Sequence, residues 1–326
     1  YGLEGSSSGE SISIEDGTSI PAWVDLSGSN NHLYTYIGDP AFDDLNEDPP
    51  IYTSGGEYNT FAPSSGNPII KFDDKHMINT GASFDVTDRV TAYYVLEPTS
   101  QFNPWNTTFF ALGKSISNSN SVMSHYYHGD TGANNGNYDW DEKLDEKMGL
   151  FANWSSGWAG SYQDNLAYHT SSSNHQTANT PSLYKFEFDD GTLSLYKNNS
   201  LVISKTGHNY DDYHILNSQI QLGYSNSPSS NPFTKIDVNI GEMMVLNTTV
   251  TDEENIMITH YLAEKWNFGS VVDSDGDGIV DNEDCDPLDG SAVVDECGTC
   301  DADASNDCVQ DCSGEWGGDL VNDECG

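Results

Sequence analysis

LYKFEFDDGTLSLYKNNSLVISK, residues 183–205, decides the fold class of this chain. Polar and apolar residues alternate along its three short runs, the period of strands with one face in a core and one toward water. Tyr184, Phe186 and Phe188 fall on a single face. Between the runs stand Asp190-Gly191 and Asn198-Asn199, pairs that tolerate positive φ and suit two-residue hairpin turns. Three antiparallel strands are expected here.

The same texture extends outward. IIKFD, VTAYYVL (Val90 to Leu96), TFFALG, SVMSHYY and MGLFANW come before it, and IQLGY and VNIGEMMVL after it. Ten short β-runs between turn clusters read as an antiparallel sandwich. The Gly-, Ser- and Asn-rich start adds short strand candidates at Ser11 to Ile14 and Leu33 to Ile37. GSSSG at 5–9 matches a nucleophile elbow in letters alone, since no strand leads in and no helix follows. One helix closes the domain, with Thr251 as N-cap, Glu254 completing a capping box, and Ile258, Tyr261, Leu262 and Trp266 as its apolar stripe.

The tail carries the clearest chemistry. In DSDGDGIVDNEDCD, Asp273 to Asp286, carboxylates occupy loop positions 1, 3, 5, 9 and 12 (Asp273, Asp275, Asp277, Asp281, Asp284). Gly278 follows the third, and Ile279 at position 7 offers its backbone carbonyl. Hard oxygens at this spacing on a Gly-turned loop are the ligand set of calcium, the cofactor expected here. Asp rather than Glu at position 12 and the lack of a preceding amphipathic helix argue against a helix–loop–helix sensor. With Cys285 next, the segment resembles a thrombospondin type 3 repeat, which implies a calcium- and disulfide-stabilised irregular tail.

Charge marks the boundary of that tail. The chain of 326 residues has 52 acidic and 11 basic side chains, a formal charge of -41, which repels nucleic acid and anionic membrane surfaces. From Val271 onward there are 18 acidic residues and no Lys or Arg. Such a segment self-repels unless cations compensate it. No apolar run is long enough for direct membrane insertion. All six cysteines (Cys285, Cys297, Cys300, Cys308, Cys312, Cys325) lie there, which points to an oxidising compartment. The lone CxxC, Cys297 and Cys300, lacks the second pair a zinc site wants. Sequential pairing, Cys285–Cys297, Cys300–Cys308 and Cys312–Cys325, leaves none unpaired and is the expectation, each loop contributing about 2–4 kcal/mol. DECG recurs at 295–298 and 323–326, so a repeat continuing past Gly326 is expected.

Four pieces, WVDLSGSNNH (23–32), NPIIKFD (67–73), LSLYKNNSLV and IGEMMVLNTTVTDEENIMITHYLAEKWNF (240–268), make residues 10–268 resemble a laminin-G-like member of the concanavalin A-like lectin/glucanase group. The resemblance implies an all-β antiparallel jelly roll with one C-terminal helix, a fold commonly used to bind glycans or proteins. The expected domains are 1–269, the sandwich; 270–290, the calcium loop; and 291–326, the Cys-rich acidic repeat. Asn198-Asn199 departs from the family's usual Asn-Gly, as does a long insertion between Tyr127 and Met148.

That insertion, HGDTGANNGNYDWDEKLDEK, is the candidate ligand site. Tyr138 and Trp140 offer faces for a sugar ring, and Asp130, Asn134, Asn135, Asn137 and Asp139 offer partners for its hydroxyls. Catalysis has little support: the glycosidase ExDxxE strand is absent, and EFDDG from Glu187 reads as a hairpin turn. Two classes remain. One is a non-catalytic, calcium-dependent adhesion module of an extracellular or cell-surface protein, bacterial in style, that recognises a glycan or a surface protein. The other is a structural subunit that forms a homo-polymer.

Overall fold

In the computed structural model the described residues are 15, 17–20, 22–23, 26–27, 29, 31–35, 50–53, 67–73, 77–78, 84–86, 89–98, 107–113, 120–128, 147–155, 166–169, 180–206, 215–222 and 237–321. The first strands are β1 (Ala22–Trp23), β2 (Leu33–Thr35), β3 (Ile51–Thr53), β4 (Ile69–Asp73), β5 (Met77–Ile78) and β6 (Phe84–Val86). Longer ones follow: β7 (Arg89–Pro98), β8 (Thr107–Gly113), β9 (Asn120–His128), β10 (Lys147–Ser155) and β11 (Leu166–His169). Then come β12 (Ser182–Asp189), β13 (Thr192–Lys197), β14 (Ser200–Thr206), β15 (Ile215–Leu222) and β16 (Asp237–Leu246). Helix α1 (Asp252–Trp266) and two short strands, β17 (Val293–Val294) and β18 (Cys300–Asp301), complete the chain.

Strand alternation is resolved by two antiparallel sheets that share one core. The first has the order β14-β13-β12-β7-β16-β4-β3. The second runs β1-β2-β5-β15-β8-β9-β10-β11, with β6 also on β15. One buried cluster draws Phe72, Tyr94, Tyr184 and Phe186 from the first sheet and Trp23, Met77, Phe110 and Ile220 from the second. Across the layers Tyr94 stacks on Phe110 with ring centroids 5.4 Å apart, and Phe110 meets Phe186 edge-on at 5.5 Å. The expected two-residue turns form: Asp190 and Gly191 have φ of 39° and 85°, Asn198 and Asn199 of 48° and 63°. Asn198 Oδ1 also accepts from Leu183 N at 3.0 Å, so the side chain braces its own hairpin against β12.

β7 is buried on both faces from Val90 to Glu97, which explains why VTAYYVL lacks strict alternation. The candidate strand at 33–37 is described as Leu33–Thr35. The candidate at 11–14 lies outside the described residues.

The chain divides into two compact units, 1–249 and 250–326. This division falls before α1 and groups the helix with the acidic tail, while the charge boundary expected from the sequence lies at 269/270. α1 begins as its sequence dictates: Thr251 Oγ1 accepts from Glu254 N at 3.2 Å, and Glu254 Oε2 accepts from Thr251 N at 2.8 Å. Its buried residues are Thr259, Leu262, Ala263 and Trp266. Tyr261, expected on the apolar stripe, is 46 % exposed, and its hydroxyl accepts from Lys265 Nζ at 2.8 Å. At 3.6 residues per turn it lies across the helix from Leu262, Ala263 and Trp266 taken together.

The tail is assembled from aspartate-capped turns. Asp295 N donates to Thr299 O at 2.9 Å, while Asp295 Oδ1 accepts from Cys297 N and Thr299 N at 2.8 and 2.7 Å. The same turn recurs at Asp311, whose Oδ1 accepts from Ser313 N and Glu315 N at 2.8 and 3.1 Å. Gly298 and Gly314 occupy matching positive-φ positions at 82° and 88°.

Two of the three sequential disulfides, Cys285–Cys297 and Cys300–Cys308, are overturned. The bonds are Cys285–Cys300 and Cys297–Cys308, with Cα separations of 6.0 and 5.8 Å. Val294 pairs with Cys300 in the β17–β18 ladder, whereas Cys297 is carried on the turn between these strands. The two cysteines of the CxxC are therefore sent to different partners, and neither is a free thiolate for zinc. A side chain at Gly317, whose φ is 69°, would place Cβ 3.1 Å from Cys297 Sγ and 3.3 Å from Cys308 Sγ, so any other residue there would be strained and crowded against that bond. Cys312 is also disulfide-bonded; Cys325 lies outside the described residues.

Candidate metal centre

α1 ends at Asn267, which adopts the left-handed conformation (φ 59°), and Phe268 N donates back to Ala263 O at 2.8 Å. The chain turns straight into the acidic loop. Asn282 N donates to Gly269 O at 2.9 Å and Asp281 N to Val272 O at 2.8 Å, tying the loop's far end to its entry. Val272 is fully buried between these contacts in sequence.

Inside the loop the carboxylates organise the backbone. Asp273 accepts from Gly276 N at 2.7 Å through Oδ1 and from Gly278 N at 2.9 Å through Oδ2. Asp275 Oδ1 accepts from Asp277 N at 3.2 Å, and Asp277 Oδ1 from Ile279 N at 2.7 Å. Gly276 and Gly278 permit the tight path with φ of 85° and 98°. As a result Asp273, Asp275 and Asp277 present one ligand atom each within 4.8 Å of one another. Gly290 lies over them: a Cβ there would be 3.3 Å from Asp277 Cβ and 3.4 Å from Asp275 Cγ.

The charge balance of this cluster is incomplete. Burial pushes the Asp275 carboxyl above its ordinary value, and the negative charges of Asp277, Asp284 and Asp273 push the same way, against a backbone hydrogen bond from Asp277. Asp275 Oδ2 and Asp284 Oδ2 are buried without a hydrogen-bond partner among the described residues. Orphaned carboxylate oxygens beside like charges fit a hard divalent cation bound through oxygen ligands. Asp284 therefore joins the cluster electrostatically, while its Oδ1 accepts from Asp286 N at 3.0 Å.

Asp281 has a different place. Its Oδ1 accepts from Ser274 N at 2.8 Å, its Oδ2 accepts from Ser274 Oγ at 2.7 Å, and His260 Nδ1 of α1 lies 3.1 Å from Oδ2. Both oxygens are engaged: Oδ1 closes the loop on itself, and Oδ2 joins the loop to the helix. Ser274, 2 % exposed, and His260 are contributors that loop spacing alone does not reveal. Ile279, expected to lend its carbonyl, is 42 % exposed at the loop surface. The candidate ligand residues Asp130, Asn134, Asn135, Asn137, Tyr138, Asp139 and Trp140 lie outside the described residues.

No family model matches this chain, and no curated protein does. Solved structures do resemble it at low identity. The CBM40 of a Ruminococcus gnavus sialidase bound to α2,3 sialyllactose is 12% identical, with 53% of this chain and 82% of that chain covered and a TM-score of 0.38. Domain 4 of an extracellular arabinanase from Geobacillus stearothermophilus, in complex with arabinotriose, is 15% identical over 62% of this chain and 77% of that one, TM-score 0.36. An arabinofuranosidase complexed with arabinofuranosyl-α-1,2-xylobiose is 12% identical over 76% and 51%, TM-score 0.49. At these scores the likeness decides neither ligand nor reaction for this chain.

Proposed function

We propose that this chain is a non-catalytic adhesion module of an extracellular surface protein, in which calcium organises the acidic unit and the β-sandwich recognises a glycan or a surface protein. The observation that carries the calcium reading is the convergence of Asp273, Asp275 and Asp277 within 4.8 Å. Beside it stand the unpartnered buried oxygens of Asp275 and Asp284. Calcium would be held by these four carboxylates, supplying the positive charge that the loop lacks. Disulfides in the same unit suit an oxidising exterior. A two-sheet sandwich offers long rims and faces for a ligand, and it supports binding as a class rather than a particular sugar.

The runner-up is a self-assembling subunit. It is favoured by exposed apolar residues in the acidic unit, Val293 at 63 % and Val294 at 59 %, which form β17 of the short β17–β18 ladder. A glycan array read with calcium and again with EGTA separates the two. Binding to a defined set of glycans that is lost on chelation is the expected result. An array silent in calcium, together with filaments under negative stain, would replace the adhesion reading with the polymer.

A further inference from the structure

Three polar side chains form one row across the first sheet, on the face turned away from the shared core. Glu97 on β7 is directly opposite Asn239 on β16, and Asn239 is directly opposite Lys71 on β4. Their chain neighbours Leu96, Val238, Ile240, Ile70 and Phe72 all belong to the core cluster. Successive strand residues point to opposite faces, so the three share the other one. Residues directly opposite have Cβ atoms about 4.5–5.5 Å apart, within reach of a lysine stem.

Water is largely excluded there. Glu97 is 0 % exposed and Asn239 2 %, and Lys71 is half-buried. Ile69, Tyr93, Val95 and Leu183, which share that face, are buried too. Asn239 Nδ2 donates to Glu97 Oε2 at 2.7 Å. A buried row of lysine, amide and carboxylate is a poor source of stability compared with apolar residues of the same volume. Its chemistry is more informative: a primary amine, a carboxamide and a proton carrier on three adjacent strands are the reactants for amide exchange between side chains.

We propose that Lys71 and Asn239 become joined by an intramolecular isopeptide bond, with Glu97 as the catalytic acid and base. In this low-dielectric setting the ammonium of Lys71 passes a proton to the Glu97 carboxylate, leaving a neutral amine. Nζ attacks Asn239 Cγ and the Nζ–Cγ bond forms. Glu97 then gives its proton to Nδ2, the Cγ–Nδ2 bond breaks, and the carboxylate takes up the proton that Nζ sheds. Ammonia leaves, and no oxidant or reductant takes part. The product is a covalent tie between β4 and β16.

Intact mass spectrometry of the folded full chain, reduced and denatured before injection, tests this directly. The mass expected is that of the reduced sequence less one ammonia, with trypsin failing to cleave after Lys71 and a single peptide pair linked through Lys71 and Asn239. A mass equal to the full sequence overturns the bond. So does ammonia loss traced to a succinimide at some other asparagine. Lys71→Arg and Glu97→Gln should each restore the full sequence mass. A linked peptide persisting in Glu97→Gln would remove Glu97 from the reaction.

Discussion

Asp275 shows what a single residue can and cannot disclose. Its place in DSDGDG makes it a candidate ligand, and in the structure one of its oxygens is bound to the backbone while the other is buried without a partner among the described residues. A raised carboxyl pKa means that, in the metal-free fold, the ionised form is disfavoured, first by burial and then by Asp277, Asp284 and Asp273. A divalent cation bound there would reverse that penalty. Asp275→Asn keeps the shape and removes the charge, so isothermal titration with calcium should give an affinity about tenfold weaker, a loss of about 1.4 kcal/mol, from a starting Kd of about 0.1–1 mM. The same variant without metal should melt no lower than the parent. An unchanged calcium affinity would take Asp275 out of the site. Asp281 was not separable from the other carboxylates by spacing, because its partners Ser274 and His260 come from the loop entry and from α1.

At the scale of elements, local signals were legible and long-range ones were not. The hairpins of residues 183–205 follow from alternation and from residues that accept positive φ, and α1 starts at its capping box. Disulfide partners depend on how a turn points its side chains. The Asp295 turn separates Cys297 from Cys300 in a way that counting residues between cysteines does not capture. The half-buried Lys71 and the buried Asn239 were equally illegible, since alternation places polar residues on a face without saying what covers it.

The turn aspartates give a pH dependence with a definite sign. The Ser305 and Ser313 hydroxyls, with backbone N–H groups, lower the carboxyls of Asp303 and Asp311 below their ordinary 3.8. A depressed folded pKa contributes stability above the unfolded value and loses it as pH falls through the folded one. The amide resonances of Ser305 and Ser313 should therefore hold steady from neutral pH down to about 4, and titrate with midpoints below 3.8. Midpoints above that value would contradict the turn assignment.

Across the whole molecule, composition located the acidic region correctly, because 18 acidic residues without a Lys or Arg cannot be missed. Charge composition changes at 270, whereas the compact units divide at 249/250. α1 carries both charge signs and reads as the end of the sandwich, yet its C-terminus continues through Asn267 and Gly269 into hydrogen bonds with the loop. Helix and loop fall in one compact unit, 250–326, and local opening is expected to follow that unit rather than the charge boundary. Amide hydrogen exchange with and without calcium, read peptide by peptide, tests the calcium-organised unit most directly. Addition of EGTA should accelerate exchange across residues 252–301, α1 included, and leave β7, β12 and β16 unchanged. Equal exchange of the Asp273–Asp284 peptide in calcium and in EGTA would contradict it.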